Sequence, residues 1–202
     1  MAVNTQRTGM LLIISGPSGT GKGTLVKKLM DSDPSLRFSC SVTTRAPRVG
    51  EVDGVDYHFI TDEEYARLVA DNRFLEHATV HDHHYGTLRK PVEDMMQQGH
   101  NVVLDIDTQG AISVMENAED YVSVFILPPS FKELRERLVN RKTDAPDVIE
   151  RRLNNARGEV QQAHRYQYSI VNDDLEVAYA QLKTIVEAEK LRTNRCKHTI
   201  TD

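Results

Sequence analysis

The sequence predicts an α/β fold, with a mostly parallel sheet of five strands and helices between them. Three observations carry this expectation. Long apolar runs alternate with helical patterns over much of the chain, the arrangement that builds parallel sheets. The run Met10–Ser15 leads through the glycine-rich stretch Gly16–Thr24 into Leu25–Met30, whose apolar residues fall on one side of a helix. Gly16, Asp107, Leu127 and Asn172 end apolar runs, and in such folds ligands gather at the carboxyl ends of the strands.

In chain order, residues 1–9 are polar and expected to be loose. The first strand and its helix close at Asp31-Ser32-Asp33-Pro34, because proline cannot continue a helix. Arg37–Val42 reads as a second strand, and Thr43–Glu51 is too polar and broken for core. Val55–Ile60 alternates like an exposed strand. Thr61-Asp62-Glu63-Glu64 is a capping box opening a helix to about Asp71. Phe74–Val80 is a short strand and His81–Gly86 reads as a turn. The stretch from Ser39 to about Lys90 thus lacks long apolar strands and reads as a small inserted subdomain. The main sheet resumes at Asn101–Asp107, followed by a helix over Thr108–Glu116 and the strand Val122–Leu127. Ser130-x-x-Glu133 caps a helix to about Asn140, and Arg141–Asp147 is polar. A charged helix then runs to about His164, Gln167–Asn172 is the last buried strand, and Asp173-x-x-Glu176 caps a final helix to about Cys196.

The glycine-rich stretch has the strand–turn–helix context that a phosphate-binding P-loop needs. Its glycines let the backbone bend until several N–H groups face one concavity. The helix start adds unpaired N–H groups and the positive end of its dipole, and Lys22 adds a full charge for the outer phosphates of a nucleotide. The spacing Gly16-x4-Gly21-Lys22 fits the pattern, but Gly23 holds the usual hydroxyl position, with Thr24 one residue later. A glycine-rich turn without a ligand is the bland alternative.

The chain has 202 residues, 39% hydrophobic and 27% charged, which suits one domain with a real core. A formal charge of −5 argues against a dedicated nucleic-acid binder. The balance is uneven: Ser130–Arg165 carries nine basic residues against six acidic ones, a local excess that suits a small polyanion. Cys40 and Cys196 suggest neither a disulfide scaffold nor a metal motif. No signal peptide and no membrane-length apolar run is present, so the cytoplasm is expected. His77, His81, His83 and His84 crowd together; they form either a polar hairpin or, through His81-x-His83, a transition-metal chelate. The long last helix could cap the core or meet a second copy in a homo-oligomer.

The P-loop, Ser41-x-Thr43-Thr44-Arg45-x-Pro47-Arg48, Tyr85-Gly86-Thr87, Leu104-Asp105-Ile106-Asp107-x-Gln109-Gly110 and Ile170-Val171-Asn172-Asp173-Asp174 occur in this order. With them the chain strongly resembles the guanylate kinases from about Met10 to Lys190. The resemblance implies a P-loop kinase that transfers the γ-phosphoryl group of ATP to GMP or dGMP, with Mg²⁺. It implies a core (about 10–38, 91–129 and 164–196), a GMP-binding subdomain (about 39–90) and a helical lid (about 130–163). ATP would lie on Gly16, Pro17, Ser18, Gly19, Thr20, Gly21, Lys22, Gly23 and Thr24, with Asn172 on the adenine side. Ser41, Arg45, Arg48 and Tyr57 match the GMP-phosphate site, where guanidinium forks suit a phosphate dianion, and Tyr85 touches the phosphate or packs beside it.

Glu76 and Thr87 match the guanine-reading pair: a carboxylate accepts from N1–H and the 2-amino group, and a hydroxyl donates to O6. Asp105 and Asp107, two apart on a strand, point to one face and need cations or donors there. Resemblance puts Asp107 near the guanine and leaves Asp105 between water-bound Mg²⁺ and the arginines. Lys22, Arg45, Arg137, Arg141 and Arg152 match the catalytic cations. The chain departs from the family at Asn140-Arg141-Lys142, where many members have glycines, and at Gly23, which removes the usual hydroxyl for Mg²⁺.

Overall fold

The computed structural model describes residues 2–80, 82–140 and 145–201. The first elements are β1 (Ala2–Arg7), β2 (Leu11–Ser15), α1 (Lys22–Ser32), β3 (Leu36–Phe38), β4 (Val42–Thr43) and β5 (His58–Phe59). Next come α2 (Asp62–Ala70), β6 (Phe74–Val80), β7 (His83–Leu88), α3 (Arg89–Gln97), β8 (Asn101–Asp105) and α4 (Thr108–Asn117). The chain continues with β9 (Val122–Leu127), α5 (Phe131–Asn140), α6 (Pro146–Gln161) and a 3₁₀ turn (Gln162–Arg165). It closes with β10 (Tyr168–Val171), α7 (Leu175–Lys190) and β11 (Cys196–Thr201).

The central sheet has the order β10-β9-β2-β8-β3, and all its pairings are parallel, in keeping with the α/β expectation. β2 lies in the middle and is buried along its whole length. Successive side chains of a strand point to opposite faces, so Leu12 and Ile14 pack with Leu25, Leu29, Leu182 and Val186 of α1 and α7. Leu11 and Ile13 pack on the other face with Val92, Ala111 and Val114 of α3 and α4. Each of these Leu, Ile and Val side chains, fully buried, contributes about 1.5–3 kcal/mol. This two-sided burial explains the unbroken apolar runs, and it fixes the loop after Ser15 at the carboxyl edge of the sheet.

The stretch from β4 to β7 forms a second sheet of order β5-β4-β7-β6. Val42, Tyr65 and Phe74 form its own small core. Thr61 caps α2 as expected, its hydroxyl accepting from Glu64 N–H at 3.1 Å. α5 and α6 pack through Leu134, Leu138, Ile149, Leu153 and Ala156.

Several boundaries differ from the sequence reading. Arg37–Val42 is two strands: Ser39 N–H still donates to Val103 in the large sheet, but Val42 pairs with Gly86 in the small one. Val55–Ile60 contracts to β5. The expected turn over His81–Gly86 is mostly strand, because β7 pairs with both β6 and β4 and its ladder hydrogen bonds outweigh its polar composition. α3 has no counterpart in the sequence reading, and the helix expected to reach His164 tightens into the 3₁₀ turn after Gln161. The last helix is capped by Asp174 rather than Asp173, the carboxylate accepting from Glu176 and Val177 N–H.

Residues 2–7 are not loose, and the last helix stops at Lys190 rather than Cys196: β1 and β11 pair antiparallel, from Ala2↔Thr201 to Arg7↔Cys196. The turn before β11 is held by Arg195, only 2% exposed, which donates from Nε to Asp120 at 3.0 Å and from Nη1 to Glu189. A backbone ribbon closed by one buried arginine leaves no hydrophobic period to read.

Candidate active site

The loop after β2 takes the conformation that its glycines permit. Gly16, Gly19 and Gly21 have φ of 147°, 95° and 84°, values that side-chain-bearing residues rarely adopt. The space is equally restrictive: a Cβ on Gly16 would lie 2.3 Å from Ile126 O, and one on Gly21 would lie 2.5 Å from Asn172 Nδ2. Thr20 Oγ1 donates to Pro17 O at 2.9 Å and closes the turn. Asn172, just past β10, donates from Nδ2 to Thr20 O at 2.7 Å, so it braces the loop backbone. Gly23 faces open space, with nothing within 4 Å of a would-be Cβ, and Thr24 is exposed beside it in the first turn of α1.

Lys22 opens α1 and forms an ion pair with Asp105 at the end of β8. Burial pushes its ammonium down to about 8, while the carboxylates of Asp107 and Glu159 act in the opposite sense. Asp107 does not share a strand face with Asp105 as expected, because β8 ends at Asp105. Asp107 instead caps α4 and accepts from Gly110 N–H at 2.8 Å. Asp105 meets neither Arg45 nor Arg48; its partner is Lys22, a pairing that the sequence reading does not weigh.

A cleft of about 370 Å³ lies between the two sheets, lined among others by Ser41, Arg45, Arg48, Tyr57, Glu76, Tyr85, Asp105 and Asp107. The β6/β7 register sets Glu76 opposite Thr87, and Thr87 Oγ1 donates to Glu76 Oε1 at 2.7 Å. Ser41 Oγ lies 3.3 Å from Thr87 Oγ1. Burial pushes the Glu76 carboxyl up, the Thr87 bond opposes this, and Asp107 adds to it. Tyr85 and Tyr57 meet edge to face at 5.9 Å. Arg45 lies over the Tyr57 ring at 5.5 Å and forms a bidentate pair with Glu51 at 2.9 and 3.0 Å. Glu51 also accepts from Arg48 N–H at 2.7 Å, and the Arg48 side chain is exposed.

The basic stretch is only partly brought to this place. Arg152 on α6 donates from Nη1 to Ser18 Oγ at 2.8 Å, which seats α6 on the P-loop. Arg137 on α5 donates from Nη1 to Asn172 O at 2.9 Å and from Nε to Glu133 Oε1 at 3.1 Å, so it ties α5 to the end of β10. Arg141 lies outside the described residues. Of the histidines, His77 Nδ1 lies 3.0 Å from Tyr65 Oη, His84 stacks on Tyr65 at 4.4 Å, and His83 is exposed. His81 lies outside the described residues, and no cluster of three His, Cys, Asp or Glu able to hold a metal ion occurs among the described ones.

Two residues escaped the sequence reading. Glu51, six residues after Arg45 in a polar loop, was legible only as one charge among several. Glu159 entered only the charge count, although it lies seven residues after Arg152, two helical turns on and so on the same face of α6. It is half-buried, and its carboxyl is raised by burial and by Asp107 while Lys22 pulls it down.

A phosphate-type loop, a lysine among carboxylates and a cleft holding both guanidinium groups and a hydroxyl–carboxylate pair together suit a nucleotide and a second phosphorylated ligand. Comparisons with known proteins agree. The family model described as "Guanylate kinase" matches residues 8–189. A guanylate kinase of Clostridium perfringens is 45% identical over 198 residues, covering 98% of this chain and 92% of the relative. One from Symbiobacterium thermophilum is 48% identical over 187 residues, covering 93% of this chain and 89% of the relative. The crystal structure of guanylate kinase from Anaplasma phagocytophilum aligns with a TM-score of 0.75 at 37% identity, covering 96% of this chain and 93% of that one.

Proposed function

The chain belongs to the guanylate kinase family, and on that premise we propose how its own residues divide the work of the family's reaction. That reaction is ATP:GMP phosphotransfer: an oxygen of the GMP phosphate bonds to the γ-phosphorus of ATP, the bond from that phosphorus to the β,γ-bridging oxygen breaks, and ADP and GDP leave. There is little covalent work for a protein here, and catalysis is positioning plus charge neutralisation.

The P-loop N–H groups and Lys22 hold the outer phosphates of ATP, and Arg152 reaches the same phosphates from α6. Arg137 and Asn172 hold the neighbouring end of β10 on the adenine side. Arg45 and Arg48, with Ser41, Tyr57 and Tyr85, take the GMP phosphate; Arg45 then exchanges Glu51 for the substrate dianion. Residues 39–90 act as the GMP-binding subdomain. Residues 130–163 act as a lid whose closure excludes water.

Mg²⁺ bound with ATP would supply neutralisation of the charge on the outer phosphates, and Asp105 and Asp107 are the residues that would hold it. The donor set suits a metal held through water: Asp105 and Asp107 offer hard oxygens at the cleft, yet Gly23 supplies no hydroxyl and faces open space. The negative net charge speaks against a nucleic-acid partner, and the local basic excess over residues 130–165 suits small polyanions such as two nucleotides. No helix among the described residues is long and apolar enough to cross a membrane; we read the chain as cytoplasmic.

The observation that carries the guanine reading is the buried Glu76–Thr87 pair lining the same cleft as Arg45 and Asp107. Guanine offers N1–H and the 2-amino group to Glu76, and O6 to the Thr87 hydroxyl, which is then released from the carboxylate. Adenine would set an unprotonated N1 against Glu76. Glu76→Gln keeps the shape but replaces one acceptor with a donor. It is expected to lower kcat/KM for GMP by about 10²-fold, since bonds to charged groups are worth roughly 1.5–3 kcal/mol, while KM for ATP stays within about twofold. IMP, lacking the 2-amino donor, should lose less than GMP does. Unchanged GMP kinetics in this variant would remove Glu76 from base recognition.

A further inference from the structure

We propose that Glu159 is a specificity-determining residue that makes the nucleotide site take the metal complex of the triphosphate in preference to the free triphosphate. This rests on the reading of the P-loop as the ATP site. The observations are geometric and electrostatic. Glu159 lines a cavity with Asp107, Asn155 and Gly158, and also lines the neighbouring one with Ser18 and Arg152. It therefore stands where α6, the P-loop and the start of α4 meet. It interacts electrostatically with Lys22 and with Asp107, and its carboxylate has no hydrogen-bond or ion-pair partner among the described residues. Lys22 is already matched by Asp105. The pocket therefore carries two further carboxylates, Asp107 and Glu159, against the guanidinium of Arg152.

A half-buried carboxylate beside a phosphate site, without a partner, is unfavourable unless something cationic arrives with the ligand. Free ATP brings about four negative charges and its Mg²⁺ complex about two. The repulsion from a fixed carboxylate scales with ligand charge, so Glu159 opposes the free form about twice as strongly. It can also accept hydrogen bonds from water on the metal, which the free form does not bring.

The test is calorimetric titration of the whole chain with ATP, once with excess Mg²⁺ and once with a chelator, for wild type, Glu159→Gln and Glu159→Ala. Wild type should bind the metal complex more tightly. Both variants should tighten free ATP by about fivefold or more and the metal complex by less than about threefold, so that the ratio of the two affinities narrows by about twofold or more. Gln and Ala should behave alike, because the effect belongs to the charge; a packing role would separate them. Glu150→Gln, on the same helix but paired outward with Arg135, should leave the ratio unchanged. An unchanged ratio in both Glu159 variants, with ATP still binding, would overturn the role of Glu159 alone. Failure of wild type to bind ATP in either form would overturn the P-loop reading and this role with it.

Discussion

Lys22→Ala is expected to reduce phosphoryl transfer to background while the chain stays folded. In the proposed division of work, Lys22 is the cation that meets the outer phosphates, where charge builds on the transferring group. Losing one preorganised donor of this kind costs on the order of 10²–10³ in rate. Here the loss also leaves Asp105 without its partner, facing the phosphates as a bare carboxylate. The fold should survive because α1 is anchored by Leu25, Val26 and Leu29 rather than by its first residue. Asp105 keeps about a fifth of its side-chain surface in water. Turnover and a thermal melt on the same preparation check this. Near-normal turnover with a normal melt would remove Lys22 from the phosphate site.

Arg152→Ala should lower kcat by about 10³-fold or more, the range reached by arginines that meet a transferring phosphoryl group, with a much smaller change in GMP affinity. Its guanidinium reaches the P-loop through Ser18, which suits the proposed contact with the γ-phosphate. A residue acting on the transition state lowers kcat and kcat/KM together. Steady-state kinetics with GMP varied at saturating ATP, plus a direct GMP titration, separate the two cases. A change confined to KM for GMP would move Arg152 out of catalysis.

What was legible in the sequence followed from burial. β2, β8 and β9 are covered on both faces, so their apolar runs announce them, and the glycines of the loop after β2 sit where φ and space leave no alternative. Thr61 and Ser130 cap their helices where the pattern placed them. What was not legible depends on pairing across long separations. β7 is rich in histidine and holds its strand form through backbone ladders to β4 and β6. β1 and β11 find each other from opposite ends of the chain. Charge–charge partners are the least readable: Lys22 with Asp105, Arg45 with Glu51, and Glu159 beside the cavity it shares with Asp107 are pairings that periodicity does not record. Asp105 and Asp107 show the limit well: β8 ends two residues before Asp107, so the expected shared face becomes an ion pair at Asp105 and a helix cap at Asp107.

The most direct test is to measure ADP release by the wild-type chain with ATP, Mg²⁺ and each of GMP, dGMP, AMP, CMP and UMP in turn. GMP and dGMP should be used, and kcat/KM for GMP should exceed that for AMP by roughly 10⁴, the discrimination a site reaches when the wrong ligand leaves buried polar groups unpaired. Equal use of AMP and GMP, or no ADP release with any acceptor, would contradict the assignment of Glu76, Thr87 and the P-loop to an ATP:GMP phosphotransferase.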